Sequence, residues 1–240
     1  MSALGGDEHA AALREFGRQQ RPKAIAIVSA HWQTPAPVRV TSWESAPLVY
    51  DFGGFPPELY RLTWPAPGDP PLAARVSHRL PGSTLEPRRG LDHGAWVPLR
   101  LAWPEADIPV VQLSLPTAPP RDIFALGQAL RPLREDGILI AASGGIVHNL
   151  RRVHFLDKKA PVDDWASEFD RWVQDRLDAG DLDALFAYAG QAPQASLAVP
   201  TTEHFDPLFA ALGAAGSSRS RIIYEGFQYG SLSMRSLAWD

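Results

Sequence analysis

Four short stretches carry the side chains that could do chemistry: Ser29-Ala30-His31-Trp32, Asp92-His93-Gly94-Ala95-Trp96, Val147-His148-Asn149 and Glu203-His204-Phe205. A histidine alone says little, because most are structural or face solvent. The setting of these four is what matters. His31 and His148 each come after a short apolar run, AIAIV at 24–28 and GILIAA at 137–142. The C-terminal ends of such strands are where open α/β sheets gather ligands. His93 lies between an acid and a glycine, and His204 lies beside an acid at a helix start. We read the four stretches as converging on a mononuclear metal site built around His31. His9, His78 and His154 have polar or arginine neighbours and are read as surface residues.

The chain has no cysteine, which removes disulfides, thiolate metal sites and thiol catalysis. Any metal must be held by His, Asp or Glu. Three histidines with one open position suit zinc and an activated water. Two histidines with a carboxylate suit a non-haem iron that takes oxygen and substrate together. No HExxH-type pattern is present, and spacing alone leaves both readings open.

These residues need a scaffold. The 240 residues are 45% hydrophobic and 21% charged, with a formal net charge of -4, an ordinary composition for one α/β domain. No basic block points to nucleic acid. No apolar run approaches the ~18 residues of a membrane span, and the N-terminus lacks a signal-peptide pattern, so a cytoplasmic protein is expected. Patterning predicts helices over 7–19, 71–80, 121–134, 163–178, 181–189 and 201–211, the last capped by Thr201. Strands are predicted over 24–28, 37–43, 108–115 and 137–142, the last buried, with two closing strands over 221–228 and 231–237 around Tyr229-Gly230. The segment after Gly90 enters a short helix. The passage from Tyr50 to Gly68 is aromatic and rich in Pro and Gly, and reads as a loop that packs its own rings and lines a pocket. Alternating strands and helices predict an α/β fold: one domain over 1–240, with a central mixed sheet flanked by helices.

Taken in order, the blocks SAHW (29–32), YDFGGFPPELY (50–60), PAPG (65–68), LDHGAWVPL (91–99), GGIVHNLR (144–151), TTEHFDPL (201–208) and GSLSMRS (230–236) resemble the class III extradiol ring-cleavage dioxygenases, in particular their 4,5-DOPA dioxygenase branch. The resemblance spans nearly the whole chain. It implies an oxidoreductase that opens a catechol-type ring with O₂ at non-haem Fe(II), with Zn(II) as a possible bound metal. It implies His31 and His204 as metal ligands, and His148 as a further ligand or an acid–base residue. His93 would act on the substrate in the pocket, and Trp32, Tyr50, Phe55 and Trp96 would form aromatic walls. Either a monomer or a homodimer fits. The chain departs from the family at one place: an N-terminal His-Gly-Ser-Pro block that supplies a further ligand is absent. Met1-Ser2-Ala3-Leu4 resembles the residues just downstream of such a block. The expectation is therefore an upstream start, a missing first strand and an open sheet edge, with His9 not replacing the lost ligand. Two other classes compete: a zinc-dependent hydrolase, and a ligand-binding relative without turnover.

Overall fold

The run that begins at Ala24 becomes the centre of the sheet because both of its faces are apolar. In the computed structural model, which describes residues 5–45, 47–216 and 219–240, β1 spans Ala24–Thr34. Met1–Leu4 lie outside the described residues. Ala24, Ala26 and Val28 pack on one side of β1, and Ile25 and Ile27 on the other, the period of two that a strand imposes. β1 pairs in parallel with β4 (Val110–Pro116) and with β5 (Ile138–Ser143). β2 (Arg39–Thr41) runs antiparallel to β4, and β3 (Thr84–Glu86) completes the order β3-β2-β4-β1-β5. The sheet is mixed, as expected. β3 has no counterpart in the sequence reading, since its three residues are too few to show a period.

Helices cover both faces. α1 (Glu8–Gln19) and α3 (His93–Ala102) share a core with Trp43 and Trp64. α2 (Pro70–Arg79), α4 (Pro120–Leu130), α5 (Asp164–Ala179) and α9 (Pro207–Ala215) build the core on the other side. The short helices α6 (Leu182–Phe186), α7 (Tyr188–Gln191) and α8 (Ala195–Ala198) connect α5 to α9. Aspartates start four helices among the described residues: Asp7, Asp69, Asp92 and Asp181 accept from the N–H groups of Ala10, Leu72, Ala95 and Ala184, which satisfies otherwise unpaired donors. α4 and α9 cross closely at Gly127 and Gly213. A Cβ on either would fall about 2.0 Å from a carbonyl oxygen of the facing helix.

Three expectations need correction. β5 is an edge strand and mostly half-buried, because among the described residues β1 is its only pairing partner. Its outer side opens on a groove of about 770 Å³ between α1 and α9. The helix expected from Thr201 is a 3₁₀ turn over Thr202–His204 followed by α9. Thr201 stands at the N-cap position of that turn, as expected, but its side chain caps no backbone N–H, because its hydroxyl bonds Glu203 instead. The closing strands are broken into β6 (Arg221–Tyr224) with β9 (Ser236–Ala238), and β7 (Phe227–Gln228) with β8 (Leu232–Ser233). Among the described residues no helix is long and apolar enough to cross a membrane.

A buried ion pair ties this C-terminal ribbon to the rest. Asp170 of α5 accepts from Arg235 and from the Ser233 hydroxyl (2.6 Å), and both charged side chains are 4% exposed. The Ser233 N–H donates to the carbonyl of Val147, next to His148. Replacing Arg235→Ala leaves the Asp170 carboxylate buried without its cation. We expect a loss of about 3–5 kcal/mol, read as a lower urea midpoint.

Candidate active site

The site forms at the C-terminal ends of β1 and β5. β1 and β4 pair in step up to Ser29 opposite Ser114, and pairing resumes at Gln33 opposite Leu115. Ala30, His31 and Trp32 therefore bulge from the ladder, a device that re-aims side chains beside active sites. A buried polar cluster fixes the bulge. Asp92, without exposed surface, accepts from the Ser29 hydroxyl at 2.8 Å and from the side chain of Gln112. Ser29 accepts from the His31 N–H, and Arg89 donates to the His31 carbonyl.

The glycine after His93 allows α3 to start against this bulge. A Cβ on Gly94 would lie 2.4 Å from the Ser29 hydroxyl and 2.9 Å from His31 Cδ2. On the other side, the His148 N–H donates to the Ala198 carbonyl, and the Gly145 N–H to the His204 carbonyl at 2.7 Å. The loop after β5 and the 3₁₀ turn before α9 are thereby joined.

Four rings meet as a continuous row. His93 and His31 have centroids 3.9 Å apart. His31 and His204 stand at 90° with centroids 5.2 Å apart. His204 and His148 stack at 3.5 Å with 5° between planes. The structure thus brings together all four sequence-predicted histidines. His78 and His154 are not buried, as expected. His9 is not a surface residue: it is partly buried, with its ring against Tyr224 and a bond to Ser236.

Crowding and burial keep three of these rings neutral. Burial, reinforced by the neighbouring imidazoles, lowers His31 to about 4 and His148 to about 3. Burial also lowers His204, with Glu203 pulling the other way. Neutral imidazoles are the ligand form, so protons do not compete with a cation near neutral pH.

Two carboxylates face the outer nitrogens. The Nδ1 atoms of His204 and His93 bond Glu203 (3.2 Å) and Asp51 (2.9 Å), an arrangement that leaves Nε2 free for a metal or substrate. Burial raises Asp51, but the ring and backbone N–H groups of His93 outweigh it and bring the carboxyl to about 2. Among the described residues, His31, Asp51 and His93 have donor atoms within 4.8 Å of one another and could hold a metal. The donor chemistry of the whole cluster fits such an ion. Asp51 was not singled out by sequence reasoning; its signal was its place in YDFGGF, one residue before Phe52.

The aromatic wall differs in detail from expectation. Phe52, one of the rings of the 50–64 passage expected to line the pocket, stands at 87° to His93 with centroids 5.4 Å apart. Phe55 stands beside it at the rim and is 37% exposed. Tyr50 is half-buried behind Phe52, its hydroxyl donating to the Leu62 carbonyl. Trp96 has no exposed surface and donates to the Val49 carbonyl. Trp32 is buried beneath the Arg89 guanidinium. The two tryptophans support the site from behind and do not form its walls, because the core has absorbed them.

Known proteins resemble this chain over most of its length. Residues 7–237 match the family model described as the catalytic LigB subunit of aromatic ring-opening dioxygenase. A 4,5-DOPA dioxygenase extradiol from Beta vulgaris is 42% identical over 93% of this chain and 85% of its own length. One from Escherichia coli K12 is 41% identical over 90% and 82%. A crystal structure of an uncharacterized protein from Escherichia coli K12 superposes with a TM-score of 0.82 at 36% identity, covering 96% of this chain and 92% of that one.

The buried imidazoles make stability depend on pH. Both His31 and His148 bind protons more weakly folded than unfolded, where the ordinary value is 6.5. Their contribution to stability is complete above about pH 6.5 and is lost on acidification, towards about 4 for His31 and about 3 for His148. In the metal-free protein we expect stability to fall steadily across that window, measured by urea unfolding, and a flatter profile in His148→Gln. Gly94→Ala should displace His31 and lower metal affinity about 10–100-fold, the range seen when a ligand's support is disturbed, measured by competition with a chromogenic chelator.

Proposed function

This chain belongs to the LigB family of aromatic ring-opening, metal-dependent dioxygenases, and from that premise we propose that its substrate is a DOPA-like catechol and its working metal Fe(II). The observation that carries the site assignment is the row of four imidazoles at the ends of β1 and β5. The names of the relatives from Beta vulgaris and Escherichia coli support the substrate class. We read the described residues as one catalytic domain.

His31 and His204 would hold the metal through Nε2, with His148, stacked on His204, as a further donor. A bound iron supplies the path for electrons from an electron-rich ring to O₂. This chain's own groups supply the rest. Phe52 and Phe55 offer apolar surface to an aromatic ring and exclude water. His148, held to about 3 by burial and its neighbours, stores no proton at neutral pH and acts as a lone-pair donor. His93 carries the acid–base role: its Nε2 takes a catechol proton, and the Asp51 carboxylate behind Nδ1 offsets the charge that then develops on the ring.

The test is oxygen uptake with a panel of catechols after anaerobic loading with Fe(II) or Zn(II). We expect uptake and a ring-opened, visibly absorbing product with Fe(II) only. His31→Ala and His204→Ala should each lose metal, and more activity than the roughly 10–100-fold that an outer hydrogen-bond partner contributes. Turnover of an ester or amide by the zinc form, without oxygen uptake by the iron form, would favour a hydrolase instead.

A further inference from the structure

Asp51 sits in the loop before Phe52, and a single oxygen of its carboxylate makes two bonds to one residue. Oδ1 accepts the backbone N–H of His93 at 2.9 Å and faces His93 Nδ1, also at 2.9 Å. That backbone N–H belongs to the first residue of α3, where the unpaired donors and the dipole of a helix start favour an anion. The second oxygen faces Nδ1 of His31 at 3.4 Å. The Phe52 ring then packs edge-on against His93, so the carboxylate and the aromatic ring together restrict the rotation of the imidazole.

An ionised carboxylate has no proton to donate. The hydrogen between Asp51 and His93 must therefore ride on Nδ1, and the neutral ring presents a bare lone pair at Nε2. We infer that Asp51 is a positioning residue that fixes His93 as the Nδ1–H tautomer and so selects Nε2 as the atom that receives the catechol proton. The catechol half of this inference rests on the dioxygenase reading; the tautomer half does not. In the step itself the catechol O–H bond breaks, an N–H bond forms at Nε2, and the electron pair stays on the catechol oxygen. The imidazolium so formed keeps its Nδ1 proton, still hydrogen-bonded to Asp51. With Oδ1 committed twice to His93, Asp51 takes under this inference the part of a brace for that ring rather than of a metal ligand.

The experiment uses Asp51→Ala and Asp51→Asn. Asn can still accept through its carbonyl oxygen but carries no charge. Metal-free proteins with ¹⁵N-labelled histidine are compared by NMR, with His93 assigned through His93→Gln. The unsubstituted chain should show an unprotonated Nε2 at His93, Asp51→Asn should keep it, and Asp51→Ala should shift the proton to Nε2. With iron loaded, Asp51→Ala should lose kcat about 10–100-fold with KM for the catechol changed less than about threefold, Asp51→Asn should fall between, and metal content should equal that of the unsubstituted chain. Loss of the metal in both variants would place the effect of Asp51 on the metal, as a ligand or as the support of His31, and overturn the inference, as would an unchanged His93 tautomer in Asp51→Ala. If no catechol were turned over by the unsubstituted chain, the dioxygenase reading would fail while the tautomer measurement still decided the role of Asp51.

Discussion

The arrangement depends on β1 being held in parallel between β4 and β5. Two parallel neighbours place three C-terminal strand ends on one side of the sheet, and the bulge over Ala30–Trp32 turns that edge into a platform for His31. A slip of one residue in this pairing would exchange the faces of Ile25 and Ile27 with those of Ala26 and Val28. The large residues would then meet α4 and α9 and the small ones α1 and α3, and both cores would lose their fit. Packing far from the site thus secures the position of His31.

Charge is the second constraint. Imidazole rings with centroids between 3.5 and 5.2 Å apart cannot all be cations, since each protonated ring disfavours the next. The fold resolves this by withholding water from the rings and placing carboxylates on the outer side, at Asp51 and Glu203. The inner side keeps lone pairs and the outer side keeps protons. A cation is thereby favoured at the centre before any ligand is named.

The aromatic residues divide into two groups according to what they must do. Trp32 and Trp96 lie in the core, where large rings fill space and anchor loops through Arg89 and the Val49 carbonyl. Phe52 and Phe55 lie towards the open side of His93, where under the proposed function a planar substrate would meet them. Rigid support behind a site and adaptable apolar surface in front of it is the combination that holds a ring still while its substituents react.

The sequence by itself determined the fold class, the main helices and strands, the four histidines and the kind of reaction. Those features rest on local pattern: period-two burial in β1, capping aspartates before helices, and short blocks such as SAHW and DHGAW whose order is unchanged by folding. Only the tertiary structure decided which residues touch. Asp51 and His93 are 42 positions apart, and nothing in either neighbourhood announces a bond between them. The depth of Trp96, the burial of His9 against Tyr224 and the edge position of β5 also depend on what other segments cover. Burial and long-range pairing are properties of the packed chain, because they are set by residues distant in sequence that only folding brings within a few ångströms.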